Sequence, residues 1–380
     1  MNKPNAPKKF AGTVLIAVHT TCPTALETTH CYTTGPAVKA PTPAPVIRTP
    51  EDFARVTNAP KFQTRQALVP ASKAVSLPSA FSRIRKAWRT DECTPLTAAQ
   101  LQALYHHVVS LCGDLAPSSA ADLGRWASHV PSGARRPFLG GSAKTDRTES
   151  YHGSLNRIVY LLPHTLAGLS SLCPWATPEC KASCLFSAGQ GRMEIAQLAK
   201  LQKTIRLYID PVAVKYQVAR SIRREARKAA ALGVDLAVRL DGTSDLGLAE
   251  FIAPLFEDSP HVVFYDYTKS ESRALRQASN PLWSVTLSAK NPQHAAAVIA
   301  GGFKGSVALV VRSKERPDNK AAAYATAKAL VKGGTLFGAV AVVDGSVSDA
   351  RYTDPVGSLV ILPACGMALG TEPNAFCYEV

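Results

Sequence analysis

The chain has no run of the ~18–20 continuous apolar residues that a membrane-spanning helix requires. Its early apolar stretch, Thr13–Val18, is short, and the Thr, Cys and Pro that follow do not resemble a signal-peptide cleavage region. A soluble protein of the cytoplasm is the expectation. Acidic residues are scarce: 28 Asp and Glu face 43 Lys and Arg, a formal charge of +15. An excess of that size points to an anionic partner, of which nucleic acid is the commonest. Also missing is a glycine-rich phosphate fingerprint behind a strand, since Gly301-Gly302 and Gly333-Gly334 precede apolar runs. That argues against a dinucleotide fold. The nine cysteines are odd in number and no signal peptide precedes them, which argues against a disulfide framework. What is present is 380 residues, 46% of them hydrophobic, enough for one large domain with an appendage or for two domains.

The texture divides the chain into three stretches. Residues 1–78 form a Pro/Thr-rich arm, and Pro blocks helix interiors and central strands alike. His19, Cys22, His30 and Cys31 in that arm are candidates for a minor metal site. Residues 79–150 read as a small helical region followed by a linker over 130–150, rich in Gly, Ser and basic residues. In Leu96–Cys112 the residues Leu101, Leu104, Val108 and Leu111 recur at helical spacing behind the start signal Thr94-Pro95.

Residues 151–380 carry short apolar runs in series: Ile158–Leu162, Val234–Leu240, Val262–Tyr267, Trp283–Leu287, Ser306–Val311, Leu336–Val343 and Ser358–Leu362. Helical periodicity fills the gaps at 192–232, 246–257, 271–279, 292–300 and 320–332, with Pro211 breaking the first. Strands alternating with helices imply right-handed parallel crossovers. The expected fold is therefore α/β, a complete or partial (β/α) TIM-like barrel with an N-terminal extended and helical extension. An open doubly wound sheet is the alternative.

In such folds chemistry sits where the strands run out. Those places hold Arg239 and Asp241-Gly242-Thr243-Ser244-Asp245, then Asp266, Tyr267 and Lys269, then Lys290, Arg312, Asp344 and Arg351. Asp241, Asp245, Asp266 and Lys269 are the candidate catalytic groups, because paired carboxylates on tight turns can trade protons at one pocket. The competing reading makes Asp241 and Asp245 caps of the helix that follows. Arg192, Arg239, Thr243, Ser244, Tyr267, Lys290, Arg312, Asp344 and Arg351 are the candidate substrate contacts. Along 192–232 many cations oppose few acids, and Arg223, Arg224, Arg227 and Lys228 form the candidate grip on a phosphate backbone.

The cysteine loop, Cys173-Pro-Trp-Ala-Thr-Pro-Glu-Cys180-Lys-Ala-Ser-Cys184, follows the first apolar run. Soft thiolates select zinc or iron–sulfur clusters, and three ligands leave one position open. A 4Fe-4S cluster on Cys173, Cys180 and Cys184 is the expectation and zinc the alternative, because no His follows closely; His261 and His294 would have to arrive from other loops.

This cysteine pattern, then Gly189-Gln-Gly-Arg192, then Arg239-Leu-Asp-Gly-Thr-Ser-Asp245, then Phe264-Tyr-Asp-Tyr-Thr-Lys269, resembles the phage and mobile-element family called gene product eighty-eight, over roughly residues 155–365. The resemblance implies a phage or plasmid origin and a shared cysteine site, and brings no activity with it. The layout is also similar to radical S-adenosylmethionine enzymes, though the cysteine spacing is wider than theirs, and that likeness implies S-adenosylmethionine as a co-substrate. Zinc-containing base-exchange transglycosylases are a further analogy. Together these readings give a metal-cysteine enzyme acting on nucleic acid and modifying a base or nucleotide. The alternative is a non-catalytic nucleic-acid-binding or host-inhibiting protein with a structural metal site.

Overall fold

The structure, a computed structural model, describes residues 76–129, 137–141, 145, 149, 153–277, 283–370 and 374–380. The Pro/Thr-rich arm up to residue 75, its His/Cys group and most of the linker over 130–150 lie outside these residues.

Nine strands form one mixed sheet: β1 (Leu139–Gly140), β2 (Ser154–Val159), β3 (Asp235–Arg239), β4 (Val262–Thr268), β5 (Trp283–Ser288), β6 (Val307–Arg312), β7 (Val342–Asp344), β8 (Leu359–Pro363) and β9 (Cys377–Glu379). The hydrogen-bonded path runs β1-β2-β3-β4-β5-β6-β8-β7, with β9 on β6. All pairings are parallel except β1 with β2. The seven apolar runs thus mark seven real strands. The sheet is not closed among the described residues. A barrel would have to pair on the outer edge of β2, and β1 occupies that edge antiparallel, matching Leu139 to Val159 and Gly140 to Ile158. The stretch read as a linker therefore supplies a sheet edge, with Phe138 and Leu139 buried.

The far side of the sheet is split. β8 pairs with β6 along Val307–Val311, whereas β5 reaches only Val307 and Ala308. β9 pairs with Val310–Arg312 and so takes the rest of the β5 edge. The final strand fills a gap that β5 leaves open.

Ten α-helices are described: α1 (Ala80–Thr90), α2 (Ala98–Cys112), α3 (Leu123–Ser128), α4 (Pro178–Ala182), α5 (Glu194–Ile209), α6 (Pro211–Ala231), α7 (Ala249–Ile252), α8 (Glu271–Gln277), α9 (Pro292–Ala300) and α10 (Lys320–Gly333). Their ends follow local chemistry. Asp210 breaks the long crossover: its carboxylate accepts the Ala213 amide at 3.1 Å and Pro211 stands at the first helical position, where its missing N–H costs nothing. α2 opens with a reciprocal capping box between Thr97 and Gln100. The helix expected over 246–257 is only α7 followed by a 3₁₀ turn at Ala253–Phe256, with Pro254 at its start.

Strand register sorts side chains onto two faces. One face carries Leu236, Val238, Phe264, Trp283 and Val285, which share a single hydrophobic cluster with Ile84 and Trp88 of α1 and Leu104 and Val108 of α2. The N-terminal helices are thus part of the sheet's core. The other face is polar, with Ser154, Asn156, Arg239, Tyr265, Tyr267 and Thr286, and the segment after β7 lies against it. Tyr352 stands 5.9 Å from the Tyr265 ring and shares a 2.9 Å hydrogen bond with Ser154. No helix among the described residues is long and apolar enough to cross a membrane.

Candidate functional site

The turn after β3 is built by Asp241. Its fully buried carboxylate accepts from Ser244 Oγ (2.7 Å) and from the amides of Leu246 (2.9 Å), Gly247 (2.8 Å) and Leu248 (3.1 Å). Those four donors fill the acceptor positions of a carboxylate. Asp241 therefore organises the loop, and the catalytic base expected there has no free lone pair to offer. Gly242 has a matching reason: a Cβ would lie 2.6 Å from Ile158 Cγ2 and 2.7 Å from the Val159 carbonyl oxygen. It lets the turn lie on the end of β2 and is not a space beneath a substrate. Gly247 adopts φ +70°, and a Cβ there would meet Arg85 at 2.5 Å.

Asp245 does not cap a helix either. Its carboxylate accepts from Arg273 Nη1 (2.7 Å), Thr268 Oγ1 (3.1 Å) and the Lys269 amide (2.9 Å). Arg273, on α8 and 1% exposed, also meets Asp266 at 3.2 Å and faces Glu250 at 3.7 Å. Burial outweighs this attraction and pushes both Asp245 and Asp266 above the usual carboxylate range, Asp266 the further. Asp266 accepts only from Arg273 and from the Tyr267 amide next to it, so it is the carboxyl here that can hold a proton. Arg273 is the hub that periodicity did not reveal, because on sequence it reads as one more cation on a helix.

The loop that carries the three cysteines lies beside this hub. Cys173 Sγ accepts from the His164 amide at 3.4 Å and donates to the Thr243 carbonyl at 3.8 Å, tying the cysteine loop to the turn after β3. Burial raises all three thiols, Cys184 to about 11, and the charges of Cys180 and Cys184 are felt at Cys173 and that of Cys180 at Cys184. Two lysines face them. Lys269, lowered by burial, is nearest Cys180, and its ammonium donates to Ser288 Oγ (3.0 Å) and the Ala289 carbonyl (2.8 Å). Lys200, lowered by burial to about 8, neighbours Cys184 and lies 4.9 Å from the Phe186 ring. Asn374 donates to Ser183 at 2.8 Å, so the segment before β9 closes over the same loop. The cysteine loop behind β2, Asp245 behind β3, Lys269 behind β4 and Lys200 of α5 thus influence one another's charge. Among the described residues, no three His, Cys, Asp or Glu side chains stand placed to hold one metal ion. His261 pairs with Asp235 at 3.0 Å at the amino ends of the strands, and His294 with Glu271 at 3.0 Å. The histidine nearest the cysteines is His164, upstream of them and in a left-handed conformation at φ 36°.

The remaining candidates scatter. Arg312 is spent on Glu379 and the Gly370 carbonyl (2.9 Å), fastening β6 to β9. Lys290 pairs with Glu271 at 2.6 Å, and Asp344 accepts the Ser346 amide at 2.8 Å. Thr243 and Ser244 hydroxyls are used within the turn region, on Leu161 and Asp241. Arg192 ends the 3₁₀ turn Gly189–Arg192, and its side chain lies outside the described residues. Arg239, Tyr267 and Arg351 meet on the polar face.

The basic crossover separates into two halves. On α5 and early α6 the cations turn inward: Lys203 donates to the Phe138 carbonyl, Arg206 to Gln217, and Lys215 to Asp91 and the Trp88 carbonyl. On α6 Arg220, Arg223, Arg224, Arg227 and Lys228 are exposed. Because α6 ends three residues before β3 begins, this exposed ridge lies toward the amino ends of the strands, away from the cysteine loop.

Fold and site together define a class: a mixed α/β protein with a cysteine-bearing loop behind its first parallel strand. Residues 137–379, from β1 through β9, match the family model described as Gene product 88, and the chain belongs to that family. No curated protein and no solved structure matches it.

Proposed function

We propose that this protein is a phage-type enzyme acting on nucleic acid or a nucleotide, with its reaction centre between the cysteine loop and the carboxyl ends of β2–β5. The observation that carries the reading is the convergence there of Cys173, Cys180 and Cys184 with Lys200, Lys269 and Asp245. Burying three thiols and two ammonium groups together costs free energy, and sites of perturbed ionisation gather where chemistry is done. An all-sulfur donor set suits a 4Fe-4S cluster or zinc, and with three protein ligands such a group would supply one open coordination position. Among the described residues the thiols are not placed to hold one metal ion, so the support for such a group is the chemistry and spacing of the donors. The residues themselves have clear work. Asp241 holds the turn, Arg273 fixes Asp245 and Asp266, Asp266 can keep a proton, and Lys269 presents an ammonium beside Cys180.

S-adenosylmethionine as co-substrate belongs to the iron–sulfur version of this reading, and base exchange to the zinc version. Asp241 is a poor nucleophile for the latter, its oxygens being occupied. The exposed α6 ridge supports contact with nucleic acid and by itself fits a binding protein equally well. Metal and sulfide analysis after anaerobic purification tests the reading: iron with sulfide, or about one zinc, supports it, and metal content unchanged in Cys173→Ala, Cys180→Ala and Cys184→Ala refutes it.

A further inference from the structure

On the polar face of the sheet, three of the four consecutive strands β2–β5 present buried polar atoms with no hydrogen-bond partner: Asn156 Nδ2 on β2, Arg239 Nε on β3 and Thr286 Oγ1 on β5. Asn156 and Thr286 are 0% exposed. Register sets Arg239 between the other two. Asn156 pairs with Ala237, two residues before Arg239, and Thr286 pairs with Tyr267. Between them Tyr265 donates to Asn156 Oδ1 at 2.9 Å, and the Arg239 guanidinium lies 4.5 Å from the Tyr267 ring centroid. From the segment that covers this face, Arg351 adds another unpartnered Nε. An unsatisfied buried polar atom costs ~1–3 kcal/mol, so several on one surface signal a missing partner.

The chemistry of the vacant positions is one-sided. Arg239 Nε, Arg351 Nε and Asn156 Nδ2 can only donate, and Thr286 can do either. Their complement is a group rich in acceptor oxygens. Arg239 is suited to recognise it: Asp266 stands 3.8 Å from Nε, beyond hydrogen-bond distance, stacking on Tyr267 fixes its plane, and the side chain keeps 15% exposure, so its edge can be reached from outside. The acids Asp349 and Asp354 on the covering segment offset part of the charge, and Arg351 meets Asp354 at 3.1 Å.

We infer that the polar face is a binding site for a small oxyanion group, phosphate or carboxylate, with Arg239 as the recognising side chain and Thr286, beside the Tyr267 ring that Arg239 stacks on, as its inner contact. The inference rests on the proposed function only in taking this ligand to be substrate. Calorimetric titration of the full chain with inorganic phosphate, uridine 5′-monophosphate and succinate tests it. The expected result is saturable binding of at least one probe, weakened about tenfold or more in Arg239→Gln, the loss of roughly one good charge-assisted contact. Tighter phosphate or nucleotide than succinate identifies a phosphoryl ligand, and the reverse a carboxylate. Should Arg239→Gln fail to fold, Thr286→Val should weaken binding severalfold with the fold kept. No binding of any probe means that buried water serves these atoms and overturns the inference, as does unchanged affinity in the folded variants. Metal content is measured in the same samples, so failure here is separable from failure of the cysteine reading.

Discussion

Two buried clusters lie side by side behind β2 and β3, and they are built on opposite rules. In the hub of Asp241, Asp245, Asp266 and Arg273, charge meets charge or amide at hydrogen-bond distance, and the two unmatched atoms, Arg273 Nε and Glu250 Oε1, face one another. In the thiol cluster, burial raises every cysteine and the contacts of Cys173 are long sulfur contacts of 3.4 and 3.8 Å. A network that satisfies itself is a scaffold. The thiol cluster is linked instead by long sulfur contacts and by charge.

The contrast can be broken from the hub side first. Arg273→Met should destabilise by about 3–5 kcal/mol, the usual cost of orphaning buried partner charges, read as a lowered denaturation midpoint. Asp241→Asn should cost ~1–3 kcal/mol, because an NH₂ group would confront the amides of Leu246, Gly247 and Leu248. A fully stable Asp241→Asn would return Asp241 to the list of catalytic candidates. On the thiol side, Cys180→Ala in metal-free protein should cost only ~1 kcal/mol. Equal losses at Arg273 and Cys180 would erase the distinction between scaffold and site.

Acid–base behaviour sharpens the same comparison at the covering segment. Burial lifts Asp354 to about 6 despite Arg351, so the folded chain holds its proton more tightly than the unfolded chain. Its contribution to stability is present below the ordinary carboxylate range and is lost as pH rises to about 6. Stability should therefore fall across that interval, and less steeply in Asp354→Asn. The smallest effect is expected at the α6 ridge. Converting Arg223 and Arg227 to Glu should alter stability by about 1 kcal/mol or less, since both are exposed, whereas Arg224 and Lys228 also pair with the buried Glu225. It should weaken binding to a DNA or RNA oligonucleotide and flatten its salt dependence. An unchanged slope would place the phosphate contacts elsewhere.

Much of the frame was legible. Unbroken apolar runs located five of the strands to within about a residue, the runs Ile158–Leu162 and Leu336–Val343 overlap β2 and β7 by only two residues each, and Pro211 located the helix break. The open sheet was not legible, because closure depends on what occupies an edge, and β1 is two residues in a Gly-rich stretch with no periodicity. β9 escaped for the same reason. At the site, the cysteine spacing stood out, whereas the work of Asp241 did not: the amides that fill its carboxylate belong to a loop whose path no local pattern encodes. Lys200 and Arg273 were hidden because on sequence each reads as one more cation of its helix. Only packing distinguishes a buried lysine beside Cys184 from the exposed Arg227.

The most direct test of the central claim is metal and sulfide content of anaerobically purified protein, measured beside the Cys173→Ala, Cys180→Ala and Cys184→Ala variants. The account predicts iron with sulfide, or about one zinc, in the parent chain and its loss in each variant with the fold intact. A folded parent chain free of metal, or variants that keep its full content, would contradict it.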